Sequence, residues 1–107
     1  MLANKGESDK ILSRKSVQAM FTVERILNPA EFEGLSGQGL GVFLFGQGEN
    51  KFFLHHGHNN PGANCMFLGS TTKGQGAVIM TNGMYGLDLS VEILSSIAKE
   101  YHWDGIN

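Results

Sequence analysis

Lys51-Phe52-Phe53-Leu54-His55-His56, Asn64-Cys65-Met66-Phe67-Leu68-Gly69 and Ala77-Val78-Ile79-Met80-Thr81 are short apolar runs separated by glycine, asparagine and serine. Runs of this length, rich in aromatic and aliphatic residues between turn formers, read as strands. Ser70-Thr71-Thr72-Lys73-Gly74-Gln75-Gly76 joins the last two and reads as a polar hairpin turn. A further strand, Leu40–Phe45, precedes them between Gly39 and Gly46. The runs are apolar nearly throughout, so cover on both sheet faces is expected.

Outward from these strands, the ends of the chain read as helices. Ser13 or Ser16 is a candidate cap for a short helix to about Thr22, with Val17, Met20 and Phe21 on one face. Asn28-Pro29 ends it, and residues 28–38 read as a loop. Asp88 or Ser90 is a candidate cap for a helix to about His102, with Leu89, Ile93, Leu94, Ile97 and Tyr101 as its apolar stripe. Most of the 15 glycines lie between Gly34 and Gly86, in the strand region. The chain therefore reads as α+β, a four-stranded antiparallel sheet (β-β-β-β) with an N-terminal helix and a long C-terminal helix. One domain is expected over residues 1–107, with residues 1–10 as a disordered lead-in.

Composition bounds the function. Apolar residues make up 41% and charged residues 17%, which is globular. A net charge of -2 with no basic stripe argues against a nucleic-acid partner. No apolar run approaches the roughly 20 residues of a membrane span, and the N-terminus has no apolar signal core. These features leave localisation open. The single Cys65 excludes an internal disulfide.

Four blocks carry a family resemblance. They are Gly39–Leu44, His56-Gly57-His58-Asn59-Asn60-Pro61-Gly62, Gly76–Gly83, and Glu92–Ala98 with Tyr101 and Trp103. In this order they resemble the C-terminal portion of a serine β-lactamase or penicillin-binding-type (class C-like) hydrolase, over about residues 11–103. The resemblance implies a partial β-lactamase-like α/β domain. It implies substrate-binding roles for His56, Gly57, His58 and Asn60, toward a small acyl or peptide-like ligand. Small residues there let backbone approach a ligand. The family's Ser-x-x-Lys nucleophile and its second base motif have no counterpart in this chain. The expected function is thus an inactive, ligand-binding or self-associating relative. Alternatives are hydrolysis completed by a partner chain or by a homo-oligomer, and a purely structural role. His58 stands where the family prefers glycine, and Ala63 where an aromatic residue is common.

Other motifs read blandly. Ser70-Thr71-Thr72-Lys73 spells Ser-x-x-Lys but lies in a turn, where its ends do not stack on one helix face. Ser96-Ile97-Ala98-Lys99 lies within the final helix and reads as a solvated face. His55, His56 and His58 lack the further ligands that zinc needs. Gly37-Gln38-Gly39-Leu40-Gly41 enters a strand and is no dinucleotide loop. Cys65 is expected to be buried in its apolar run, and Met84, Tyr85 and Trp103 to be packing residues. No catalytic residue, metal or cofactor is assigned. Finally, the family pairs its last strand with N-terminal strands that have no counterpart here. Ala77–Thr81 is therefore expected as an apolar sheet edge, and a two-fold homodimer through it as the assembly.

Overall fold

The computed structural model describes residues 11–31 and 34–106. The expected lead-in, residues 1–10, lies outside the described residues. Along the chain the elements are α1 (Arg14–Met20), β1 (Arg25–Ile26), β2 (Gly37–Gln38) and β3 (Phe43–Phe45). A 3-10 turn at Gly48–Asn50 leads to β4 (Phe52–Asn59), β5 (Ala63–Ser70), β6 (Gly76–Thr81) and α2 (Gly86–Glu100).

All six strands form one antiparallel sheet in chain order, β1-β2-β3-β4-β5-β6. The α+β class stands, but the expectation of four strands is corrected to six. The two added strands are two residues long each, too short to display any hydrophobic period, and the second lies in the expected loop. β3 is also shorter than expected, because Gly41 takes a positive φ of 76° and turns the chain just before it.

The β4–β5 hairpin sorts the apolar residues. Its register sets Phe52 opposite Ser70, Phe53 opposite Gly69 and Leu54 opposite Leu68. Successive strand residues point to opposite faces. Phe52, Leu54 and Leu68 therefore join Leu94 and Ala98 of α2, and Trp103 beyond it, in one core. Phe53 goes to the other face with Val42 and Leu44, where Phe21 at the end of α1 packs against them. The Phe21 and Phe53 rings stack with centroids 4.5 Å apart. One uninterrupted apolar run thus supplies two cores.

Local chemistry fixes the helices. The Ser13 side chain caps α1 by accepting the Ser16 backbone N–H at 3.1 Å. α2 starts two residues earlier than the first expected cap, behind Tyr85, whose side chain makes no capping bond. Asp88 lies in its first turn and Lys99 in its last, each complementing the helix dipole. The buried face of α2 is Gly86, Ser90, Leu94 and Ala98. This corrects the expected stripe: Leu89 and Tyr101 are exposed. Gly86 is required by close approach, since a Cβ there would run into Thr81 Oγ1 and Asn64 Cβ.

Leu94 is 5% exposed and Leu89 is 49% exposed. Leu94→Ala should therefore destabilise the fold by about 2–5 kcal/mol, and Leu89→Ala by less than about 0.5 kcal/mol. Urea unfolding followed by circular dichroism distinguishes the two. Equal losses would return α2 to the stripe expected from the sequence.

Candidate functional site

The expected site residues lie at the far end of β4 and in the turn beyond it, Asn60–Gly62. Strand alternation puts His56 and His58 on one face and Gly57 on the other. His56 shares the α2 face with Leu54 and lines a cavity beneath that helix. Gly57 points to the opposite face, beside its cross-strand partner Cys65: a Cβ there would meet the Cys65 sulfur at 3.1 Å. His58 and Asn60 are exposed. The four residues do not converge on one point. His55, on the face of Gly57, stacks on Phe67 with ring centroids 6.3 Å apart. Among the described residues, no group of three or more His, Cys, Asp or Glu side chains is gathered to hold a metal ion.

Both Ser-x-x-Lys sequences are bound up in structure. The Ser70 side chain accepts the backbone N–H of Thr72 at 3.2 Å and of Lys73 at 2.9 Å, closing the β5–β6 turn. The Lys73 ammonium donates to Asn50 Oδ1 at 2.7 Å and lies 3.5 Å from an Asp104 carboxylate oxygen. Ser96 donates to the Glu92 carbonyl of its own helix at 2.9 Å.

A different region departs from what an isolated sheet should present. β6 carries Ala77 and Ile79 against the α2 core. On its other face Val78 is 74% exposed and Met80 is 80% exposed. The register places Phe67 beside Val78 and Cys65 beside Met80, so the four form one apolar patch. Cys65 is exposed, not buried, and Met84 and Tyr85 are likewise exposed. The expectation of cover on both faces thus holds for the β3–β4 part of the sheet, where α1 packs, and is corrected at β6. Trp103 is buried, as expected of a packing residue.

β6 is also the sheet edge. The Ser70 N–H bonds the Gln75 carbonyl at 2.8 Å, which sets the alternation of the hairpin. The pairs Leu68–Ala77, Met66–Ile79 and Asn64–Thr81 then exchange backbone bonds. The N–H and C=O groups of Gly76, Val78 and Met80 point away from β5 and meet no other described strand. The far end of the hairpin is held by Asn64, 2% exposed, which sequence reading passed over. Its Nδ2 donates to the Gly83 carbonyl at 2.6 Å, and Thr81 Oγ1 donates to the Asn64 carbonyl at 3.1 Å. A lone asparagine inside an apolar run was the available signal.

No protein-family model and no curated protein matches the chain. A solved structure does: the crystal structure of SurE aligns with a TM-score of 0.71 and 27% identity. The match covers 94% of this chain and 22% of the SurE chain, so this chain spans under a quarter of that protein's length. These findings correct the family expectation. The similarity is to SurE, and nothing in the comparisons supports the serine β-lactamase or penicillin-binding-type assignment. That assignment is withdrawn, with the hydrolase-derived function and the partial β-lactamase-like domain drawn from it. The blocks that carried it are glycine-bounded strands and a closing helix, which specify an arrangement of chain and not a chemistry.

The exposure of Cys65 tests the open face. In the native protein Cys65 should react with Ellman's reagent at a rate within about tenfold of that in the urea-unfolded chain. Stronger protection would mean that this face is covered.

Proposed function

We propose that this chain is an assembly unit that pairs with a second copy of itself through the outer edge of β6. The observation that carries this reading is the edge itself: three residues, Gly76, Val78 and Met80, with outward backbone groups and, between them, two exposed apolar side chains. Unpaired edges of this kind recruit further strands unless charge, proline or a bulge blocks them. Gly76–Thr81 carries no charged residue and no proline.

Self-pairing fits the same features. A two-fold axis at Val78 sets each Val78 opposite its copy and each Gly76 opposite the partner's Met80. No like charges are brought together, and the two apolar patches become neighbours on one face of a continuous sheet. This reading assigns no catalytic role.

Size-exclusion chromatography with light scattering should give twice the 11.6 kDa chain mass at micromolar concentration. Val78→Lys, on the exposed face, and Val78→Pro, which removes an outward N–H, should each give a monomer with an unchanged circular dichroism spectrum. A wild-type monomer at about 100 μM would exclude self-pairing at the affinities usual for stable dimers. Dimers that survive both substitutions would place the contact elsewhere.

A further inference from the structure

α2 packs mainly on β5 and β6. Between it and β4 lies a cavity of about 360 Å³, with Leu35 and Ile106 along its outer wall. Among the described residues its lining is apolar apart from glycine backbone, His56 and Ser95, and contains no charged side chain. Neither polar side chain makes a hydrogen bond among the described residues. His56 Nδ1 is buried without a hydrogen-bond partner, and the His56 ring lines the cavity. On the same helix, Ser90 and Ser96 return their hydroxyls to carbonyls one turn back, at Gly86 and Glu92. Ser95, between them, makes no such bond among the described residues.

We propose that this cavity binds a small neutral molecule, apolar over most of its surface and carrying one hydroxyl group, with the His56 imidazole and Ser95 as its polar contacts. The size lies at the lower end of the roughly 300–1,000 Å³ usual for small-molecule sites. The ligand is neutral because the described lining residues offer no counter-ion, and an unpaired charge is costly to bury. A hydroxyl fits because it donates and accepts, and so serves either neutral tautomer of His56 while also meeting a serine. None of the lining residues belongs to β6, so this site and the edge pairing stand or fall separately.

The probes are 4-propylphenol and propylbenzene, which differ by the hydroxyl alone. They are titrated against the full chain while the Met66 methyl and His56 ring resonances are followed by NMR. 4-Propylphenol should shift both saturably and bind about fivefold more tightly than propylbenzene, the net worth of one hydrogen bond. His56→Phe should abolish that preference. Ser95→Ala, on a partly exposed helix position that leaves the sheet intact, should reduce it. No saturable shift, shifts confined to the Phe67–Val78 face, or equal binding of the two probes by the wild-type chain would overturn the proposal.

Discussion

Everything in this molecule depends on the register of β4 against β5. Eight cross-strand pairs, from Phe52–Ser70 to Asn59–Ala63, decide which side chain meets which helix. Phe52, Leu54 and Leu68 face α2, while Phe53 faces α1. A slip of one residue would exchange the two sets. Phe53 would then lie under α2, and the Phe21–Phe53 stack would be lost. Asn64 guards one end of this ladder through its bond to Gly83, and Ser70 guards the other by closing the turn on Thr72 and Lys73.

The same alternation that builds two cores splits the histidine cluster, sending His55 to one face and His56 with His58 to the other. His55, His56 and His58 are neighbours in sequence, yet only His56 comes beneath α2. Gly57 and His55 belong to the opposite face, and Asn60 stands out in the turn. A strand of this kind is a poor way to gather neighbouring residues around one substrate. It is a good way to place one imidazole under a helix and one small residue against a cysteine.

The sheet is finished unevenly. Its centre is covered twice, by α1 over Phe53 and by α2 over Leu54 and Leu68. Its β6 margin is covered once, because α2 reaches Ala77 and Ile79 while no described element lies over Val78 and Met80. The apolar character of Ala77–Met80 is thus shared between a core and an exposed patch. That explains why its sequence reads as a fully buried strand.

The hairpin of β4 and β5, the turn at Ser70–Gly76, the strand after it and the closing helix were legible because each is long enough for composition and turn chemistry to act locally. The capping of α1 by Ser13 was legible for the same reason. Three things were not. The two-residue strands β1 and β2 are held by backbone pairing too short to leave a periodic signal in the sequence. The buried face of α2 is rotated onto Ser90 and Ala98 because Gly86 lets the helix start early and close on Thr81, so packing outweighed the apolar stripe. The exposure of Cys65, Val78 and Met80 follows from what lies over the face that each residue takes. Sequence by itself determined the longer strands and the described helices, since those choices rest on nearest neighbours along the chain. Tertiary structure alone decided which residues meet and which remain open, because that depends on the register of distant strands and on where two helices come to rest.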